Sequence, residues 1–321
     1  MIRVFCIVGP TAIGKSELAA EIANRVGGEI VNADAFQIYQ GFDVLSGKPD
    51  ASTLRKAPHH LIGTVPPTEQ MSAARYRALA LPVIADINSR GKLPVLAGGS
   101  GLYIKALTHG LAEMPPPDAK LRQELDEMST SELRSRLTTV DPESAKRVDV
   151  NNRRRLIRAI EIAFSTGRSA SVQRTQWADT EDKQSDGGDL QCGIGFQPMN
   201  LESSASRRCH VENLRPWSYT GVFVFRDRDE LYQRINERVE TMLDNGAIDE
   251  VREASQLSAT VEQMIGIRDI RAHLSGDVSR EECLARIQQL TRRYAKRQLT
   301  WFRRQINLIP LNLSLLSNNE A

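Results

Sequence analysis

The stretch that decides the fold is Gly9-Pro10-Thr11-Ala12-Ile13-Gly14-Lys15-Ser16, which fits the pattern Gly-x-x-x-x-Gly-Lys-Ser at every required position. An apolar run of strand length, residues 4–8, precedes it, and a helix-forming segment follows from Glu17. In this order, the backbone N–H groups of the loop and the N-terminus of the helix point at phosphate oxygens. We therefore expect the eight residues to bind a phosphorylated ligand, with Lys15 supplying a positive charge and Ser16 a hydroxyl ligand for Mg²⁺.

The composition is that of an ordinary globular protein. The chain has 321 residues, of which 40% are hydrophobic, and no apolar run approaches the length of roughly 18 residues that a membrane span needs. The N-terminus lacks the organisation of a signal peptide, so we expect a cytoplasmic protein. The four cysteines, at positions 6, 192, 209 and 283, have no close spacing, which indicates reduced thiols and neither a zinc site nor a disulfide framework.

The net charge is only +2, but the basic residues are unevenly distributed. Between Cys283 and Asn319 there is no acidic residue. The basic residues of that segment are Arg286, Arg292, Arg293, Lys296, Arg297, Arg303 and Arg304. A second cluster consists of Arg153-Arg154-Arg155 with Arg158. Such clusters are often solvated helix faces, but two of them beside a phosphate loop favour a polyanionic partner such as nucleic acid.

Short apolar strands alternate with helical patterns in the first hundred residues, which predicts an α/β fold with a P-loop NTPase-like parallel sheet core. Strands are predicted at 4–8, 29–32, 93–97 and 221–225, and a helix at 73–90. Further helices are predicted from about 118 to 164, with Asp118 or Pro117 opening the first and Gly167 closing the last. Residues 1–117 form the first part of the core, 118–170 a helical insertion, 171–217 a flexible inserted loop, and 218–321 complete the core with basic C-terminal helices. In the terminal helix, the spacing of Ile287, Leu290, Tyr294 and Trp301 predicts a core-facing side.

Two side chains outside the loop are candidates for chemistry. Asp34 follows the second predicted strand and Gly98-Gly99-Ser100-Gly101 follows the third, so both lie at the edge where parallel sheets bind ligands. Asp34 could hold a metal, act as a base, or merely cap a turn. Lys48 could contact phosphate or be a surface lysine.

Further motifs run through most of the chain in one order. They are the stretch from Asp34 to Tyr39, Gly41-Phe42-Asp43, Lys48-Pro49, Pro58-His59-His60-Leu61, Gly98-Gly99-Ser100-Gly101-Leu102-Tyr103, the stretch from Asn151 to Glu161, Ile265-Gly266-Ile267-Arg268 and the stretch from Tyr294 to Arg303. Together with the phosphate loop, this series resembles the tRNA dimethylallyltransferases, also called tRNA isopentenyltransferases. The resemblance covers nearly the whole chain apart from about residues 178–217.

The resemblance implies transfer of a dimethylallyl group from dimethylallyl diphosphate to N6 of an adenine in tRNA. That adenine lies on the 3′ side of the anticodon, at position 37, in tRNAs reading codons that begin with U, and it is flipped out of the anticodon stem-loop. The products would be N6-(dimethylallyl)adenosine and pyrophosphate. The implied cofactor is Mg²⁺, the implied partner is the anticodon stem-loop, and we expect a monomer without a membrane partner.

The resemblance also implies roles for particular residues. Asp34 would accept the N6 proton, Thr11 would lie near the reacting carbon, and Arg228 would join Lys15 and Ser16 with Mg²⁺ in neutralising the pyrophosphate. Contacts to tRNA would come from Asp34, Ala35, Phe36, Gln37, Ser100, Arg122, Arg154, Arg155, Leu156, Ile157 and Arg158. Ser100 stands where the family usually has threonine, and Arg154 where glutamine is common.

Three other functions remain open at this stage. One is a small-molecule phosphotransferase that uses the same loop with ATP. Another is a prenyltransferase for free adenine nucleotides, against which the helical insertion and the basic C-terminal helix argue. The third is an RNA-binding protein with a regulatory nucleotide site. A tRNA contact by Arg207 and Arg208 in the inserted loop is a further hypothesis.

Overall fold

A computed structural model describes residues 2–111, 118–167, 169, 217–305 and 308–316. Six strands form one sheet in which every neighbouring pair is parallel. In chain order the strands are β1 (Ile2–Val8), β2 (Glu29–Asn32), β3 (His59–His60), β4 (Pro94–Gly98), β5 (Trp217–Phe225) and β6 (Ile309–Asn312). Their order in the sheet is β3-β2-β4-β1-β5-β6.

Helices connect these strands. In chain order the described helices are α1 (Lys15–Val26), α2 (Ala51–Lys56), α3 (Ala73–Ser89), α4 (Gly101–Thr108), α5 (Ala119–Glu127), α6 (Thr130–Val140), α7 (Pro142–Arg147), α8 (Arg153–Thr166), α9 (Arg228–Asp244), α10 (Ala247–Glu253), α11 (Ile267–Leu274) and α12 (Arg280–Phe302), with a 3₁₀ turn at Val261–Gln263. None of the helices in the described part of the chain could cross a membrane.

The topology fixes where a ligand can bind. β1 lies between β4 and β5; the chain leaves β1 for β2 on the β4 side of the sheet, and after β4 it crosses to β5 on the other side. This is a switch point, beyond whose carboxyl end the connecting loops diverge and leave a crevice. The phosphate-loop sequence occupies that position directly after β1. The predicted α/β class with a parallel P-loop-like sheet is confirmed.

Element boundaries differ in places from the sequence-based expectation. β5 begins at Trp217, four residues before the predicted start at Gly221. Its additional first residues pair with the first residues of β1. The edge strand β6 and the two-residue β3 were not predicted, because short edge strands carry little hydrophobic pattern. On α12, Ile287 is buried as expected, but Leu290 is 37% exposed, so its assignment to the core-facing side is wrong.

The chain divides into two compact units, Met1–Thr108 with Leu214–Ala321, and His109–Asn213. The first contains the sheet and the larger hydrophobic core. The second has its own core of leucine, isoleucine and alanine side chains from α5, α6 and α8, with Val148 after α7. Local signals set the bounds of its helices: Asp118 accepts N–H bonds that begin α5, and Gly167 ends α8 in a left-handed conformation, as the sequence predicts.

Cys6 and Cys283 are buried free thiols, as expected from their spacing. Cys192 and Cys209, with Arg207 and Arg208, lie outside the described residues.

Candidate active site

The phosphate loop turns between β1 and α1 and ends where the helix begins, at Lys15. Gly14 precedes the helix with φ of 91°, a left-handed conformation that glycine adopts without a steric cost. Ala12 also has a positive φ of 65°, which is uncommon for a residue with a side chain. The backbone is thus curled tightly, and the N-terminus of α1 faces the space in front of the loop.

Cationic side chains hold the carbonyl groups of this loop. Arg234 donates from Nε to the carbonyl oxygen of Ala12 at 2.9 Å, and Arg226 donates from Nε to that of Ile13 at 3.2 Å. The ammonium group of Lys15 donates to the carbonyl oxygen of Pro10. With the carbonyls bound from outside, the loop is held in its curled form before any ligand arrives.

The charges in the site perturb one another. Burial is the main cause that lowers the pKa of Lys15 to about 7; Asp34 partly offsets it, and the neighbouring Arg238 adds to the lowering. Burial likewise lowers the pKa of Arg238, which Asp34 also offsets. Two partly buried cations are therefore held close together. An anionic ligand placed between them would relieve this cost.

A cleft of about 400 Å³ lies in front of the loop. Residues from Thr11 to Ser16 line one wall, and Asp34, Gln37 and Arg238 line others. Lys48 also lines it, with only 8% of its side chain exposed and its ammonium paired with Asp43. The volume and the positive lining suit a diphosphate group. The sequence left two alternatives for Lys48, a phosphate contact and a surface lysine. The burial of its side chain disfavours the surface lysine.

A second, smaller cavity adjoins this cleft, since Thr11, Asp34, Ser46 and Arg238 line both. Its other walls are mostly apolar: Phe36, Leu45, Val239, Met242, Met264, Ile265 and Ile287, with Thr291 and Tyr294. A ligand with a charged end and a short hydrocarbon end matches this pair of cavities. The junction between them is where Asp34 and Thr11 lie.

The segment after β2 shapes the acidic part of the site. Asp34 Oδ1 accepts the N–H groups of Phe36 at 2.9 Å and of Gln37 at 3.4 Å, so the carboxylate closes a turn. Ser100 Oγ accepts the N–H of Ala35 at 2.8 Å, which joins this turn to the loop after β4. The predicted convergence of residues 34–37 and Ser100 is therefore present. Asp34 combines a structural bond through Oδ1 with a position in the cleft.

Arg228 requires a correction. It lies at the start of α9 with its guanidinium 5.2 Å from the centre of the Tyr232 ring, and it lines neither cavity. Arg238, ten residues further along the same helix, lines both and donates from Nη1 to Thr11 Oγ1 at 3.1 Å. The helical spacing from the buried Ile235 places Arg238 on the core-facing side of α9. That spacing is the signal by which the sequence could have identified it.

The residues of the insertion that the sequence assigned to tRNA separate into two groups. Leu156 and Ile157 are 1% and 5% exposed in the core of this unit, so their side chains cannot contact RNA and that prediction is wrong. Arg154 and Arg155 are exposed. Arg122 and Arg158 are half-buried, and both pair with one carboxylate, that of Glu161.

Glu161 is the buried anchor of this arginine pair, with 1% exposure. Its Oε1 accepts from Arg122 Nε at 2.6 Å, and its Oε2 accepts from Arg122 Nη2 at 2.8 Å and from Arg158 Nη1 at 3.0 Å. A planar guanidinium held by two bonds has a fixed orientation. The pairing therefore gives both arginines a structural function in addition to any contact with RNA.

A metal ion in this site would depend on few protein ligands. Among the described residues no group of three or more His, Cys, Asp or Glu side chains could hold one. Ser16 lines the cleft on the first turn of α1, and Mg²⁺ at phosphate sites is bound through few protein groups, substrate oxygens and water. The Ser16 hydroxyl therefore fits a magnesium ion that arrives with a phosphorylated ligand.

The sheet order, the curled loop and the cationic cleft define an α/β protein with a P-loop-like fold. A family model described as IPP transferase matches residues 37–305. A tRNA dimethylallyltransferase from Citrifermentans bemidjiense is 39% identical over 307 residues, covering 94% of this chain and 89% of the relative. One from Geobacter metallireducens is 40% identical over 315 residues, covering 96% and 91%. This chain therefore belongs to the IPP transferase family.

Solved structures agree with this assignment. The tRNA isopentenylpyrophosphate transferase of Bacillus halodurans is 31% identical and superposes with a TM-score of 0.66, covering 99% of this chain and 92% of that one. The matched family segment begins after the phosphate loop and Asp34. The roles proposed for those residues rest on the resemblance of their motifs and on the geometry of the cleft.

Proposed function

We propose that this protein transfers a dimethylallyl group from dimethylallyl diphosphate to N6 of the adenine at position 37 of tRNA. The acceptor tRNAs are those that read codons beginning with U, and the products are N6-(dimethylallyl)adenosine and pyrophosphate. The observation that carries the proposal is the junction of a cationic phosphate cleft with an apolar cavity at Thr11, Asp34 and Arg238. Membership of the IPP transferase family supports the same reaction class.

The donor binds with its diphosphate in the cleft and its hydrocarbon end toward the apolar walls. Backbone N–H groups of the loop and the N-terminus of α1 bind the diphosphate oxygens, with Lys15 and Arg238 as counter-charges. Burial makes these cations costly, and a bound anion offsets that cost. This exchange stabilises the bound donor.

The transfer step forms one bond and breaks another. The lone pair of the adenine N6 forms a bond to C1 of the dimethylallyl group, while the bond between C1 and the bridging oxygen breaks and its electron pair leaves with pyrophosphate. Asp34 accepts the proton that N6 loses. Arg238 and Lys15 stabilise the negative charge that develops on the leaving group, and the Thr11 hydroxyl lies beside Arg238 at the same end of the loop.

Mg²⁺ is the proposed cofactor. Ser16 would hold it through its hydroxyl, together with diphosphate oxygens and water. When bound, the ion would supply further charge neutralisation at the diphosphate.

The acceptor is the anticodon stem-loop of tRNA, with the target adenine flipped out of the stack. Exposed basic side chains support this partner in each unit: Arg293, Lys296 and Arg297 on α12, and Arg154 and Arg155 on α8. Such residues bind the phosphate backbone and give affinity without sequence information. Action as a monomer in the cytoplasm is part of the proposal.

The test is to incubate the purified protein with Mg²⁺, dimethylallyl diphosphate and unmodified tRNA, followed by mass spectrometry of the digested nucleosides. The expected result is N6-(dimethylallyl)adenosine from tRNA and none when free AMP is the acceptor. Product from AMP instead of tRNA would contradict the assigned acceptor. Absence of any prenylated product, with ATP-dependent phosphorylation of a small molecule, would replace the proposal with a phosphotransferase.

A further inference from the structure

Gln298 is a buried polar side chain on α12, with 6% exposure. Its Oε1 accepts the N–H of Thr11 at 3.0 Å, and its Nε2 donates to the carbonyl oxygen of Gly99 at 2.9 Å. One amide group thus joins the loop after β1 to the loop after β4. These strands are neighbours in the sheet, and the two loops carry Thr11 and Ser100 into the site.

The site of this amide accommodates few other side chains. It requires an acceptor toward Thr11 and a donor toward Gly99, and a primary amide provides both on one carbon. A methionine would leave both buried backbone groups without a partner, and a glutamate would place an oxygen against the Gly99 carbonyl. A Cβ atom at Gly99 would lie 2.3 Å from Nε2 of Gln298. Glycine at position 99 therefore allows the Gln298 amide to reach the backbone of this loop.

Thr11 is consequently fixed from two sides. Gln298 holds its backbone N–H and Arg238 holds its hydroxyl. We infer that Gln298 is a positioning residue for the transfer reaction: it sets the place of the Thr11 end of the phosphate loop relative to the reacting carbon. This inference rests on the proposed function. Gln298 acts through Thr11 and Gly99 and need not touch either substrate.

The effect expected from this position is on the chemical step. Small displacements of a group aligned with a reacting bond can lower a rate by about 10²-fold. The basic side chains of α12 that support tRNA binding, such as Lys296 and Arg297, are exposed and make no use of the amide. Loss of the amide should therefore lower kcat and weaken pyrophosphate binding while leaving the KM for tRNA unchanged.

The experiment compares Gln298→Met and Gln298→Glu with Gln289→Met, which changes an exposed glutamine on the same helix. For each full-length protein, kcat, the KM for tRNA, the Kd for inorganic pyrophosphate and the unfolding midpoint are measured. Both Gln298 variants should lose at least about tenfold in kcat and bind pyrophosphate more weakly, with the KM for tRNA within about twofold of wild type. Gln289→Met should match the wild type.

Wild-type kcat and pyrophosphate affinity in both Gln298 variants would overturn the inference, whatever their unfolding midpoints. A raised KM for tRNA with unchanged kcat would overturn it too, because it would indicate a contact with the acceptor. If one variant fails to fold, the other decides. If the wild-type protein transfers no prenyl group, the proposed function fails, and the pyrophosphate measurements still decide whether Gln298 shapes the loop.

Discussion

Arg238 Nη1 lies 3.1 Å from Thr11 Oγ1. Helix α9, which follows the insertion in sequence, therefore supplies a cation to the phosphate loop near the N-terminus. The arginine is partly buried, and desolvation lowers its pKa. A buried cation without a bound counter-ion is costly, and this cost is relieved when an anion forms beside it. The pairing therefore supports the proposal that Arg238 stabilises the leaving diphosphate.

Replacing Arg238 tests this assignment against the one made from sequence. Arg238→Gln should lower kcat by about 10²–10³-fold, because the charge that stabilises the leaving group is lost. Arg228→Gln, the matched control on the same helix, should stay within about twofold of wild type, since Arg228 lines neither cavity. Steady-state kinetics with saturating tRNA separates the two. The reverse ranking would return the diphosphate contact to Arg228.

Lys15 should make diphosphate binding depend on pH. Its pKa is about 7 in the free protein, below the ordinary value, and an anion beside it raises that pKa. At pH 8 the free protein therefore holds Lys15 mostly neutral, and binding of pyrophosphate draws a proton onto it. Titration calorimetry in buffers of different ionisation enthalpy should show this proton uptake, and affinity should fall as pH rises above 7. Lys15→Met should take up fewer protons on binding pyrophosphate, because it lacks the titrating ammonium group. Equal uptake in both proteins would contradict a titrating Lys15.

The same shift predicts how stability changes with pH. Because the folded pKa of Lys15 lies below its unfolded value, the unfolded chain binds more protons between about 7 and 10.5. Stability should therefore gain from Lys15 as pH rises through that range, and the cost should be fully present below pH 7. Denaturant unfolding of wild type and Lys15→Met at pH 6.5 and pH 9 measures the difference. Relative to wild type, Lys15→Met should have a larger gain in the free energy of unfolding at pH 6.5 than at pH 9. An equal gain at both pH values would contradict the lowered pKa of Lys15.

Glu161 should control the insertion unit. Glu161→Gln removes the charge that two arginines share and should destabilise this unit by about 1–3 kcal/mol. It should also weaken tRNA binding, because Arg122 loses its fixed orientation. Glu143→Gln, at an exposed pair with Lys146, is the control and should change stability by less than about 1 kcal/mol. Thermal unfolding and filter binding of tRNA measure both effects. Unchanged tRNA affinity in Glu161→Gln would limit these arginines to a structural role.

Much of this architecture could be predicted from the sequence, because the elements concerned are determined by residues close together in the chain. The phosphate loop, the bounds of β2 and the Gly167 helix end follow from residues adjacent in sequence. The convergence of Asp34 and Ser100 followed from the rule that parallel strands end at one edge. The resemblance implied a continuous run of tRNA contacts from Arg154 to Arg158, and Leu156 and Ile157 were misassigned because a helix turns every 3.6 residues and buries one side.

Contacts between distant segments could not be read in the same way. Gln298 meets Thr11 across 287 positions, and Arg238 meets it across 227. Only the folded arrangement of α9 and α12 around the loop brings these side chains together. Glu250, whose carboxylate accepts the N–H groups of Val44 and Leu45 at 2.7 and 2.8 Å, is another such contact.

The most direct test of the central claim is prenyl transfer to an anticodon stem-loop by wild-type protein and by Asp34→Asn. Asparagine keeps a carbonyl oxygen for the N–H groups of Phe36 and Gln37, so the turn survives while the base is lost. Wild type should add one dimethylallyl group to the adenine beside the anticodon. Asp34→Asn should be slower by about 10²–10⁴-fold with the same Kd for the stem-loop. Undiminished transfer by Asp34→Asn, or none by wild type, would contradict the account.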